Sequence, residues 1–191
     1  ILREKRLQTA GEPILLHVAN LHPQKNHRLV VNAFAHVKRA YPKARLIMAG
    51  AMDGYPELAK ALFSDIESLE VSDSVQLAGA LDRRELSKTM AAAHIGLLPS
   101  VLEGFSIATL EFTFFGLPSV LSATGAADEL KTSYGHIEIA EGCALPQCKL
   151  SVNAIESLLK DFPDDTVLSL SNAILKILDS YPAYLEKSLL A

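Results

Sequence analysis

The chain has 191 residues, 49% of them hydrophobic and 21% charged, with a net charge of −4. That balance fits one globular domain, or one with an appendage, and excludes a disordered or fibrous chain. It argues against a general nucleic-acid binder, and no apolar run approaches the ~20 residues of a membrane span. The charge is uneven. Residues 1–60 hold ten Lys and Arg against four Asp and Glu, and the remainder eight against eighteen. This fits an anion site in the first part, and equally a solvated basic face. Cys143 and Cys148 lack the second pair that a zinc site needs and read as thiols in a reducing compartment, which points to the cytoplasm.

Residues 1–12, amphipathic and charged, read as a linker or the start of a domain. Residues 14–19 are an apolar run bounded by Pro13 and Asn20, the pattern of a buried strand. A polar loop through Lys25 follows. Leu29, Val30, Ala33, Phe34 and Val37 then recur at helical spacing up to Tyr41 and Pro42. Further strands are expected at 45–49, 75–78, 95–98, 118–121 and 137–140, with helices between the earlier ones; Asp82 is the expected N-cap of a helix over 83–92. Alternation of this kind predicts an α/β, Rossmann-like open parallel sheet with helices on both faces, over residues 13–162. Extra C-terminal helices are expected at 152–160, 166–179 and 183–190, the region 163–191 packing on this domain or on a missing half.

In open α/β sheets ligands sit at the carboxyl ends of the strands. The loops there carry no dinucleotide fingerprint, P-loop, nucleophile elbow or zincin pair. The loop after the fourth strand reads Pro99-Ser100-Val101-Leu102-Glu103-Gly104-Phe105-Ser106 and leads into a helix through Glu111 to Gly116. Free amides of Gly104, Phe105 and Ser106 at that helix mouth can meet an anion. Were Glu103 and Glu111 both helical, their carboxylates would lie ~80° and ~12 Å apart. That is too far for a glycosidase pair, which needs roughly 5–9.5 Å. It suits the two ends of an extended ligand with an anionic middle, such as a nucleotide sugar. An exposed helix Glu and a helix-start Glu fit the spacing equally well.

The same residues resemble the C-terminal domain of family 4, or group 1, retaining glycosyltransferases of the GT-B fold. The likeness runs from Pro13 to Asp161. Glu103 and Glu111, followed by Gly116-Leu117-Pro118, look like the family's E-x7-E motif in its setting. Val18-Ala19-Asn20-Leu21 with Gln24-Lys25-Asn26 is similar to its V-G-R-L and K-N loop. Leu77-Ala78-Gly79-Ala80 and Gly125-Ala126-Ala127-Asp128-Glu129 are similar to its F-L-G and G-G-x-x-E segments.

The resemblance implies roles. Lys25 would contact the donor diphosphate and stabilise the leaving group, and Glu103 would bind hydroxyls of the transferred sugar; these are the two expected catalytic residues. Backbone groups of Gly104, Phe105, Ser106 and Ile107 would hold sugar and phosphate, and Glu111 the ribose. Gly79 and Ala80 would meet the base, with Asn20 beside the donor. It also implies no metal and no cofactor, the nucleoside-diphosphate sugar being the donor substrate.

Two positions depart from the family pattern. Asn20, after Ala19, replaces an Arg that follows a Gly, and loss of a charge-assisted contact costs about 1.5–3 kcal/mol. Arg28 is one residue that could compensate. Ala126 replaces the second Gly of G-G-x-x-E.

His22 and His27, which flank Lys25, read as loop and helix-surface residues rather than phosphate ligands. His17 and His94 read as core residues, and Phe105, Phe112, Phe114 and Phe115 as core packing. Arg83 and Arg84 read as a solvated helix face.

The sequence therefore predicts the donor-binding half of a metal-independent hexosyltransferase-type enzyme of polysaccharide or glycoconjugate biosynthesis. The half would be inactive alone, lacking an N-terminal acceptor domain. Any peripheral membrane association is expected only through that missing half. The alternative is a non-catalytic nucleotide-binding or interaction module with a degenerate donor site. A plain α/β scaffold leaves the residues around Glu103 unexplained, and a sugar-nucleotide epimerase predicts a different carboxylate and His set.

Overall fold

The computed structural model describes residues 2–144 and 162–190; the helix expected over 152–160, and Cys148, lie outside them. Six strands form one parallel sheet: β1 (Ile14–Val18), β2 (Arg45–Ala49), β3 (Val75–Gly79), β4 (Ile95–Leu98), β5 (Ser119–Ser122) and β6 (Ile137–Ala140). Their order is β3-β2-β1-β4-β5-β6. Each strand lies within one residue of its predicted position at either end; β1, β2, β4, β5 and β6 are short, mostly buried apolar runs, and β3, at the sheet edge, is only partly buried. The direction of travel across the sheet reverses between β1 and β4. That reversal opens a crevice at their carboxyl ends, where α/β proteins hold ligands.

Strand residues alternate between two cores. Leu15, Leu46, Met48, Leu97 and Val120 face a core covered by α2 (His27–Ala40), α3 (Pro56–Ser68), α7 (Asp164–Asp179) and α8 (Tyr181–Leu189). Leu16, Ile47, Leu98 and Leu121 face a second core covered by α4 (Arg83–Ala92), α5 (Ile107–Phe114) and α6 (Ala127–Ser133). Helix α4 starts where predicted. The Asp82 side chain accepts from the Glu85 amide at 2.8 Å, and Glu85 accepts from the Asp82 amide at 3.0 Å. The α6 helix has no counterpart in the sequence reading; seven residues give too little periodicity.

The N-terminal segment packs against the ends of α4 and α5. Helix α1 (Leu2–Gln8) buries Arg6, whose guanidinium donates to the carbonyls of Phe115 (3.1 Å) and Gly116 (2.7 Å), just past α5, and of Met90 in α4 (3.0 Å). A cation at helix C-termini is favourable. The last two helices pack on the same domain. Glu138 of β6 accepts from Tyr184 and from Lys176 (2.9 Å), and Ser188 donates to the Gly116 carbonyl (2.9 Å).

Gly96 of β4 lies flat against the buried Phe112 ring, where an added Cβ would come within 2.5 Å. Overpacking of this kind costs about 1–3 kcal/mol. Gly96→Ala should lower the thermal unfolding midpoint, and adding Phe112→Leu should recover part of the loss. An unchanged midpoint for the single variant would contradict this packing.

Candidate functional site

The crevice is built by two crossing loops. The loop after β1 first runs alongside β2: the Ala19 and Leu21 amides donate to the carbonyls of Ala49 (2.9 Å) and Ala51 (2.7 Å). The Asn20 side chain accepts from the Ala51 amide at 2.9 Å. Gly50 permits this approach, since a Cβ there would sit 2.0 Å from the Ala19 carbonyl oxygen. Pro23–Lys25 then form a 3-10 turn, capped by the His22 ring, which accepts from the Gln24 amide. Asn26 leaves the turn in the left-handed region at φ 54, a conformation that Asn tolerates. Its side-chain Nδ2 donates to the Pro99 carbonyl at 2.7 Å.

The loop after β4 meets this turn. The Val101 amide donates to the Gln24 carbonyl at 2.7 Å. These contacts bring Lys25 and Glu103, 78 residues apart in sequence, into a direct ion pair. Glu103 Oε1 also accepts from Ser100 Oγ at 2.7 Å, and the Ser100 carbonyl accepts from Ser122 Oγ of β5. The pair is half-buried, with side-chain exposures of 28% for Lys25 and 16% for Glu103.

Behind it, Gly125 (φ 56) presses on the Gly104 carbonyl, where a Cβ would come within 1.9 Å. Ala126, in place of the second glycine, has φ −88 and is unstrained. A slot of about 20 Å³ lies between Glu103, Ser106, Thr109, Thr124 and Ala127, room for one water-sized group. A second pocket, of about 180 Å³, opens across β1 and the ends of β2 and β3, lined by Asn20, Gly50, Ala80 and Leu86. Gly79 (φ 67) stands beside it, its carbonyl accepting from the Gly50 amide at 2.8 Å. No group of three or more His, Cys, Asp or Glu side chains placed to hold a metal ion occurs among the described residues.

Several sequence expectations are corrected here. Glu103 is not helical: α5 begins at Ile107, so the angle and rise computed for a helical pair with Glu111 do not apply. Ser106 is the N-cap, its hydroxyl accepting from the Thr109 amide. The amides of Gly104, Phe105, Ser106 and Ile107 have no protein acceptor among the described residues. Glu111 lies half-buried on the second turn. Arg28 is committed elsewhere, donating to Asp65 of α3 at 2.6 and 2.9 Å. Phe112 is core, but Phe105 and Phe114 are exposed. His22 packs edge-on against Tyr55, with ring centroids 4.8 Å apart. Ser100, Asn26 and Ser122, which hold the pair in place, were given no role in the sequence reading, although Ser100 and Asn26 stand within the two loop segments that it singled out.

His27 is buried rather than on the surface. Its Nε2 faces the Ala19 carbonyl at 3.2 Å, and its ring meets His17 edge-on at 4.6 Å between centroids. His17 Nδ1 bonds the Leu97 carbonyl at 3.0 Å. Burial lowers the His17 pKa to about 4; burial, then His17 itself, lowers that of His27 to about 3. The unfolded chain therefore binds more protons between pH ~6.5 and ~4, and stability falls as the pH drops through that window. The unfolding midpoint should decline from pH 7 to pH 4, less steeply in a His17→Phe variant. A midpoint flat down to pH 5 would contradict it.

Comparison with known proteins agrees with this architecture. The family model for glycosyl transferases group 1 matches residues 1–173. A GDP-mannose-dependent monoacylated alpha-(1-6)-phosphatidylinositol monomannoside mannosyltransferase from Corynebacterium glutamicum is 27% identical over 172 residues, covering 86% of this chain and 42% of that protein. Among solved structures, sucrose-phosphate synthase from Thermosynechococcus elongatus superposes with a TM-score of 0.71 at 21% identity, over 97% of this chain and 41% of its own. Anabaena HepE, solved with UDP and glucose, gives a TM-score of 0.62 at 19% identity, over 100% of this chain and 52% of its own. The chain thus spans about half the length, or less, of the curated relatives it matches and of these two structures. With the model matched across most of its length, the chain belongs to the group 1 glycosyl transferases.

Proposed function

We propose that this chain is the donor-binding half of a glycosyltransferase that moves a sugar from a nucleoside-diphosphate sugar to an acceptor with retention. The observation that carries the reading is the Lys25–Glu103 pair at the switch point, beside the amides leading into α5, which have no protein acceptor among the described residues. A cation and oriented N–H groups supply what a departing diphosphate needs as its charge develops. Lys25 would leave Glu103 for the diphosphate, whose greater charge competes well for a half-buried ammonium. The Ser100 hydroxyl would keep Glu103 in position, its carboxylate then free to accept from sugar hydroxyls. Glu111 would take the ribose, and Asn20, Gly79 and Ala80 would line the base end. Lys25 and the amides would meet the leaving-group charge without a metal ion.

The HepE structures with UDP, and the GDP-mannose dependence in the name of the mannosyltransferase, support a nucleotide sugar as ligand. A buried, free Cys143 thiol, its pKa pushed up to about 12 by burial, fits a reducing cytoplasm. The acceptor half would come from a partner domain, so this half alone would not turn over. The second reading, a degenerate donor site, is favoured by one observation: Asn20 spends its side-chain oxygen on the Ala51 amide and brings no charge to the crevice.

Ligand-observed NMR against UDP, GDP, ADP and their sugar conjugates tests the proposal. One diphosphate should bind selectively, and Lys25→Ala should weaken it by about ten- to a hundredfold, the worth of one charged contact. Glu111→Ala should weaken the nucleoside diphosphate but not inorganic pyrophosphate. Binding of no diphosphate at millimolar concentration, with or without a restored acceptor half, would refute the proposal. Tight binding without transfer by the restored protein would favour the second reading.

A further inference from the structure

We propose that Thr109 recognises one hydroxyl group of a transferred hexose, in the slot that Glu103 also lines, and that the slot bars a larger substituent at that position of the sugar. The inference rests on the donor-site reading above and names the feature of the sugar that the site selects.

Its starting point is a buried hydroxyl without a partner. Thr109 is 2% exposed, and its Oγ1 makes no hydrogen bond among the described residues. Buried side-chain hydroxyls are ordinarily paired. A Thr inside a helix commonly satisfies itself by donating to the carbonyl four residues back. Thr89, Thr113 and Thr132 do so, at 2.9, 3.1 and 2.9 Å. Thr109 stands in the first turn of α5, and the residue four before it, Phe105, lies outside the helix. Only its backbone is engaged: its amide donates to Ser106 Oγ at 3.4 Å, and its carbonyl accepts from Thr113. The residue lines the slot of about 20 Å³ beside Glu103.

The slot offers a second unmet polar atom. Lys25 and Ser100 both donate to Glu103 Oε1, and Oε2 has no partner among the described residues. The other hydroxyls on the wall are engaged. Ser106 Oγ holds the Thr109 amide, and Ser122 Oγ donates to the Ser100 carbonyl and lies 3.2 Å from Thr124 Oγ1. Leu121 of β5 and Leu130 of α6 close the slot with apolar surface.

A carboxylate oxygen only accepts, and a Thr hydroxyl can donate. A group that donates to Glu103 and accepts from Thr109 is itself a hydroxyl. A phosphate is too large for a space that holds one water-sized group, and Glu103 repels it. An alkyl group would leave both oxygens unpaired. A sugar hydroxyl satisfies both, and the apolar walls leave no room for a further carbon on its oxygen. A site built around a substrate hydroxyl rejects the analogue that lacks it, because its own polar groups are then left unpaired.

Dissociation constants of the full chain for UDP, GDP and ADP, and for their glucose and mannose conjugates, test this with Thr109→Val and Thr109→Ser alongside. Val keeps the shape and removes the hydroxyl. For the conjugate that binds, Thr109→Val should raise Kd by about two- to tenfold, the worth of one hydrogen bond. The Kd of the free nucleoside diphosphate should not move, and Thr109→Ser should restore the wild-type value for the conjugate. The 2-, 3-, 4- and 6-deoxy conjugates then identify the hydroxyl. One of them should bind the wild type more weakly and lose nothing further in Thr109→Val. An O-methyl group at that same position should weaken binding by about tenfold or more. Equal weakening of the diphosphate and its conjugate by Thr109→Val would overturn the proposal. So would the lack of any deoxy conjugate coupled to Thr109, which would make the slot a place for water only. A diphosphate that binds while none of its hexose conjugates does would overturn it as well, and leave the donor-site reading standing. If no diphosphate binds, that reading fails and this proposal falls with it.

Discussion

Everything at the candidate site depends on two backbone loops being tied together where the sheet reverses direction. The Gln24 carbonyl holds the Val101 amide, and the Asn26 side chain holds the Pro99 carbonyl. Both bonds are made by loop residues just beyond β1 and β4, strands that neighbour each other only because the chain returns to the middle of the sheet after completing β2 and β3. The ties set Lys25 against Glu103 with little freedom left to either backbone. Ser100 and Ser122 extend the tie to β5, and Gly125 closes it by pressing on Gly104. A cation and a carboxylate held this way are preorganised, which is worth more to a binding site than the same two groups on free loops.

The two replacements at family positions have different physical weight. Ala126 sits at an ordinary φ, and the neighbouring Gly125 carries the close contact that forbids a side chain. Asn20 exchanges a cation for a neutral acceptor and gains a bond that ties the β1 and β2 loops. Arg28, the nearest candidate to make good the charge, is bound by two hydrogen bonds to Asp65 on α3. Among the described residues that build the two loops, Lys25 is the cation that stands at the crevice, near the amides before α5.

The inner strands were legible because runs buried on both faces need only apolar residues and a boundary, which Pro13 and Asn20 supplied for the first of them. The ion pair was not legible as a pair, since no spacing rule links positions 78 residues apart. His27 was misplaced although a signal existed: it lies three, four and seven residues before Val30, Val31 and Phe34, on the buried face of α2. Helix α5 misled in the opposite sense. It is apolar on nearly every side, so composition could not say which phenylalanine faced in, and the contact of Gly96 with Phe112 settled it. The start of α5 was also hidden, because Gly104 and Ser106 are equally at home in a loop and at a helix entrance.

The most direct test of the central claim is a double-mutant cycle on unfolding free energy with Lys25→Met, Glu103→Gln and the pair, without and with a saturating nucleoside diphosphate. A coupling of about 0.5–1 kcal/mol is expected in the free chain, as for a partly exposed ion pair. That coupling should vanish when nucleotide binds, as Lys25 turns to phosphate. Additive single changes in the free chain, or a coupling that nucleotide leaves untouched, would contradict it.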